Sequence, residues 1–270
     1  TNNTSAGAAN SQSVALGSRA KAFGDQSVAI GGDVKASGNS SVAIGGDDIA
    51  KVKAAHDNLY QNITGQAMPS GNPATESSGA GSTAIGVMTT ASGHFATALG
   101  MTADASGNGA VAIGPTAKSS GEAGVAIGIQ SQASAKKTIA IGSVATADKD
   151  YATAIGSKAS ATSEGAQALG YQSNASGYQS NAIGAHAAAS GIASNAIGWN
   201  ANTTAQNATA IGAAAKAYSR SGIAMGSNAE AGNLGSEDIL LQAVAIGTNA
   251  KAKAQSKDIA LGADSETSTV

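Results

Sequence analysis

The sequence predicts an all-β fold, a parallel β-roll solenoid of 14-residue coils, on three observations. The tripeptide Ala-(Ile/Leu/Met)-Gly occurs sixteen times, centred on residues from Leu16 to Leu261, and twelve of the fifteen gaps are 14 residues. Around each centre, large and small apolar residues alternate, as in Val28-Ala29-Ile30, which is the period-2 signature of a strand. Glycine follows every centre and punctuates a turn. A fixed short period means one structural unit stacked on its own copies.

Composition agrees with a stack and not with an ordinary globule. The chain has two Phe, one Trp and five Tyr against 36 Gly in 270 residues, so it lacks the large side chains of a conventional core. The regular Val/Ile spacing argues against disorder, because disorder needs no register. In a solenoid each coil contacts only its neighbours. The formal net charge of −2, with both signs scattered, offers no basic patch for nucleic acid. The absence of cysteine excludes a disulfide framework and thiolate metal sites. No apolar run is long enough to span a bilayer, so direct membrane insertion by this segment is not expected. The chain starts and ends in repeat-like sequence and reads as a fragment of something longer.

The elements follow in order. Coils are expected over about 11–46 and 80–265. Each is a strand, a turn, a second short strand marked by small residues two apart (Ala103 and Ala105), and a closing Ser-Gly turn such as Ser106-Gly107. Successive coils pair in parallel and in register. The expected repeat core is the Val/Ile pair of each coil: Val28, Ile30, Val42, Ile44, Val111, Ile113, Val125, Ile127, Ile139 and Ile141. The invariant alanine lies on the opposite face. A solvent-facing site would tolerate Lys, Thr or Gln, so Ala29, Ala43, Ala112, Ala126 and Ala140 are expected to face closely packed copies of the same chain. Three successive coils place Gln167, Asn181 and Asn195 where Val, Ile or Thr usually stands, as expected of an amide ladder.

Two insertions break the period. The larger, about 47–79, holds Ile49, Val52, His56, Leu59 and Ile63 within one stripe at helical spacing, which predicts a short amphipathic helix, with a long hairpin as the alternative. Gln66 to Gly81, with Pro69 and Pro73, then reads as a loop. The smaller insertion, about 231–242, concentrates Leu234, Ile239, Leu240 and Leu241 in a bulging coil.

Ser27-Val28-Ala29-Ile30-Gly31 and Ser41-Val42-Ala43-Ile44-Gly45, repeated at 14 residues with Ala-x-Ala-Ser-Gly between, closely resemble the YadA-like head of trimeric autotransporter adhesins. The resemblance runs from about Ser13 to Gly262. It implies a left-handed β-roll, homotrimeric about a long axis, at the tip of a fibre anchored in the outer membrane of a Gram-negative cell. It further implies attachment to host matrix glycoproteins (collagen, fibronectin, laminin), with adhesion to inert surfaces, autoagglutination and biofilm formation as the alternative. Neither a neck motif nor a heptad stalk follows Leu261-Gly262.

No catalytic constellation, metal site or cofactor site emerges. His56, His94 and His186 lack a second His at ligand spacing. Gly31-Gly32-Asp33 matches only part of a calcium-binding nonapeptide. The 14-residue period argues against a hexapeptide-repeat acyltransferase, and the intermittent Thr row against an ice-binding solenoid. Candidate ligand contacts are therefore the scarce aromatics and one histidine: His56, Tyr60, Tyr171, Tyr178 and Trp199.

Overall fold

The computed structural model describes residues 7–233 and 242–267. It is a parallel β-solenoid of 14-residue coils, in two compact units, 1–145 and 146–270. A typical coil contributes a three-residue strand such as Val111–Ile113 and a two-residue strand such as Lys118–Ser119. In each unit the longer strands form one parallel sheet and the shorter strands a second. Equivalent residues lie over one another: Val111 over Val125, Ala112 over Ala126, Ile113 over Ile127, and likewise Asn181 over Asn195. In-register stacking places every repeat position in its own row.

The core is the reverse of the expected one. Ala29, Ala43, Ala112, Ala126 and Ala140 are 0% exposed and lie inside the coil, so they cannot face a partner. The Val/Ile pairs expected inside (Val28, Ile30, Val42, Ile44, Val111, Ile113, Val125, Ile127, Ile139 and Ile141) form the outer rows of the same strands and are only half-buried. The reason is steric. One coil brings two strands face to face with four inward positions, filled for example by Ala110, Ala112, Ala117 and Ser119. Among the described residues nothing larger than Val34, Thr75, Thr89, Thr138 or Thr203 is completely enclosed. Two β-branched side chains in each layer would overpack so thin an interior. Buried hydroxyls join the sheets, as in the Ser77–Ser82 bond of 2.6 Å and Thr203 donating to Ser194 at 2.9 Å.

The glycine after each centre has a matching cause. Gly184 sits at φ +128°, and a Cβ there would lie 2.4 Å from the carbonyl oxygen of Gly198 in the next coil. Any side chain would wedge adjacent coils apart. Both turns also contain a left-handed residue, seven apart along the chain: Gln172, Gln179, His186, Ala193 and Asn200 have φ of 52–58°.

The larger insertion occupies one turn between a long strand (Val42–Gly46) and its short strand (Glu76–Ser77). Glu76–Ser77 pairs with Lys35–Ala36 and Thr90–Ala91, so the roll resumes before residue 79 and inside the expected loop. The insertion folds as helix α1 (Ala50–Thr64) and closes at Gly65, a left-handed cap whose N–H donates to the Gln61 carbonyl. Its seated face is not the predicted stripe. Tyr60 and Thr64 are buried, whereas Val52, His56, Leu59 and Ile63 are exposed; Ile49, just before the helix, is buried. Sequence periodicity found the helix, but the bulkier stripe is not the one it lays on the roll. In the smaller insertion, Leu234, Ile239, Leu240 and Leu241 lie outside the described residues.

Candidate interaction surface

Three kinds of outer surface arise from this geometry. The first is the outer face of the long-strand sheet, where Val and Ile rows stand half-buried or exposed; Leu16 is 64% exposed and Ile259 60%. Rows this long exceed the scattered apolar residues usual on a soluble surface. In the second unit Gln167, Asn181 and Asn195 interrupt one row, and Asn181 Nδ2 donates to Asn195 Oδ1 at 2.8 Å, the rung of an amide ladder.

The second is the ledge formed by the turn after each central glycine. In the first unit this ledge carries Val87, Met101 and Ile129, and the insertion covers it. Ile49, Tyr60 and Met68 pack with Met88 into a buried cluster against those three residues. The Tyr60 hydroxyl bonds Thr116 Oγ1 at 2.7 Å, and Lys53 Nζ donates to the Met68 carbonyl at 2.6 Å. Tyr60 is therefore an anchor and not a ligand contact: it is 5% exposed. His56 does reach solvent, on the outside of α1.

In the second unit the ledge is open. Tyr171 and Trp199 occupy positions equivalent to Val87 and Ile129 and are 49% and 59% exposed. His186, from the coil between them, sets its ring against Tyr171 edge to face, with centroids 5.3 Å apart and planes at 88°. The backbone beneath is tied coil to coil: the His186 N–H donates to the Tyr171 carbonyl and the Asn200 N–H to the Ala185 carbonyl, both at 2.9 Å. Tyr178 lies in the opposite turn, so it does not join Tyr171 and Trp199. The sequence reading did not place His186, Gln172 and Asn200 in this group. Their offset of three residues from Ile183, Leu169 and Ile197 was the available signal.

The third kind consists of shallow, open depressions. One of about 490 Å³ is lined by Lys216, Glu230, Lys251 and Asp264 with intervening amides. One of about 290 Å³ lies by Arg19, Lys21, Asp33 and Lys35. Arg19 and Asp33 form an ion pair, which engages the carboxylate of the Gly31-Gly32-Asp33 segment. Among the described residues no three His, Cys, Asp or Glu side chains converge as metal ligands. Burial, and then the charge of Glu230, push the Tyr218 phenol above its ordinary range.

The model of the YadA head domain repeat (2 copies) matches residues 3–33, 35–47, 77–103, 105–131, 119–145, 133–159, 161–187, 189–215, 204–229 and 241–265. The unmatched stretches include the body of the insertion and the segment before residue 241. The chain belongs to the YadA head family. A search among curated proteins found no match. As a YadA head, the chain has the architecture of a surface adhesin.

Proposed function

We propose that this chain is the head of a trimeric autotransporter adhesin, at the tip of a fibre anchored in a Gram-negative outer membrane. Three copies pack about a long axis as left-handed rolls. The observation that carries this reading is the apolar outer face of the long-strand sheet. With alanine filling the coil, the Val and Ile rows have no function within one chain, and burying them between copies removes the exposed apolar area. Matching repeats on identical chains provide complementary rows at every level.

Attachment is the work of the remaining surface. Host matrix glycoproteins such as collagen, fibronectin and laminin are the proposed targets; inert surfaces and other cells are the second reading. Repetition along the head and across three copies multiplies weak contacts into firm attachment. The test is sedimentation equilibrium of the purified head, with binding to collagen, fibronectin, laminin and bare polystyrene measured in parallel. A trimer is expected, and a lysine in the outer row, I127K, should dissociate it while leaving the β circular-dichroism signal intact. A wild-type head that stays monomeric at tens of micromolar yet binds fully would overturn the trimeric reading.

A further inference from the structure

From Gly165 through Ala215 not one Asp, Glu, Lys or Arg occurs, in a chain where 12% of residues are charged. This stretch carries the open ledge. Its exposed groups are two aromatic rings, Tyr171 and Trp199, flanked by the amides of Gln172 and Asn200 and by the His186 ring. We infer that the ledge formed by Tyr171, His186 and Trp199 is a binding site for an uncharged oligosaccharide.

The chemistry selects the ligand class. Nucleic acids and acidic polysaccharides need an array of cations, and none lies between Gly165 and Ala215; Lys158, one coil before Gln172, and Lys216, in the depression that Asn200 also lines, stand only at its borders. A protein hot spot requires a pocket that water leaves on binding. Here the rings stand at the turns between strands, half in water. Flat aromatic faces next to amide donors and acceptors suit a ligand with apolar C–H faces and a rim of hydroxyls, and that is a neutral sugar chain. Tyr171 and Trp199 are two coils apart, about 10 Å by the spacing of neighbouring strands, a span suited to a short oligosaccharide and not to one ring. The platform is also preformed. Gln172, His186 and Asn200 are fixed in the left-handed region, the backbone rungs hold the coils together, and His186 braces Tyr171. Tyr and Trp lose little conformational freedom on binding, so such a ledge acts with little reorganisation.

This inference rests on reading the head as an adhesive surface and names a ligand class for it. Trp199 is the only tryptophan in the chain, so its fluorescence reports the ledge directly. The intact head is titrated with neutral gluco-, galacto- and N-acetylglucosamine oligosaccharides, with heparin as the charged control, at 50 and 500 mM salt. At least one neutral sugar should shift Trp199 emission saturably, with affinity changing less than two-fold between the salts. Y171A should weaken it at least ten-fold by the same readout, and W199A at least ten-fold by calorimetry. Both side chains are exposed, so the melting temperature should hold and serve as the folding control. No response to any neutral sugar, or a response to heparin alone, overturns the inference. Adhesion of the same preparation to matrix proteins separates the failures: adhesion without a sugar response removes only the ledge, while loss of both removes the adhesive reading as well.

Discussion

The same ledge is closed in one unit and open in the other. In the first, Val87, Met101 and Ile129 lie beneath the insertion, sealed by Tyr60 and Met68. In the second, Tyr171 and Trp199 stand at equivalent repeat positions in water. The coil beneath is the same, with alanine inside and glycine at the turn. Apart from the insertion, the difference lies in the two outward turn positions of each coil: the covered ledge carries Val87, Met101 and Ile129 where the open one carries Tyr171 and Trp199 bordered by Gln172, His186 and Asn200. A solenoid of this kind separates support from display. The inward rows have almost no freedom, and the turn positions have nearly all of it.

The separation is broken most severely at the glycine row. Gly184 supports the open ledge and Gly100 the covered one; both lie near φ +130°, with the next coil's backbone under 3 Å from an added Cβ. G184A and G100A should each cost about 4 kcal/mol, the sum of backbone strain and a clash that neither neighbour can relieve. Chemical denaturation measures the loss. Near-equal losses in both units would show that the ledges share one support, whatever lies on top. Tolerance of alanine at either site would sink this account of the invariant glycine.

A smaller effect separates the two ledges. Y60A removes the ring that seals the first, at a cost of about 3 kcal/mol, and should raise amide exchange across α1 and residues 87–130. Y60F, which loses only the bond to Thr116, should cost about 1 kcal/mol. W199A in the second unit should fall within about 0.5 kcal/mol, as exposed substitutions usually do. If W199A proved as damaging as Y60A, the open ledge would be a structural seal and not a display surface.

The period, the parallel stacking and the position of the large insertion were legible in the sequence, because each leaves a signature in spacing. Which face of the strand turns inward was not. Alternation in Val28-Ala29-Ile30 defines two faces, and side-chain bulk assigns Val and Ile to the core, a rule that holds when sheets pack at ordinary separation. In a 14-residue coil they do not. The better signal was variance: alanine is unbroken at all sixteen coils, whereas the outer row admits Thr83, Gln167, Asn181 and Asn195. A row that accepts amides is not a dry interior. Helix α1 misleads for a related reason. Its apolar stripe is real, but Tyr60 finds a partner on the ledge, Thr116, that the sequence alone does not bring near.

The finest distinction lies at the second residue after the central glycine, which is left-handed in the coils without the large insertion. The open ledge fills this position with Gln172, His186 and Asn200, whereas the first unit places Val144 there at φ 59°. A β-branched side chain in that region crowds its own backbone, while asparagine tolerates it. V144N should therefore stabilise the chain by about 1 kcal/mol, and N200V should cost about as much, both read as melting-temperature shifts. Opposite signs at the two positions would mean that local backbone preference governs the display edge. Equal, small losses at both would mean that coil-to-coil hydrogen bonding overrides that preference, leaving the choice of residue at each turn to what the surface must bind.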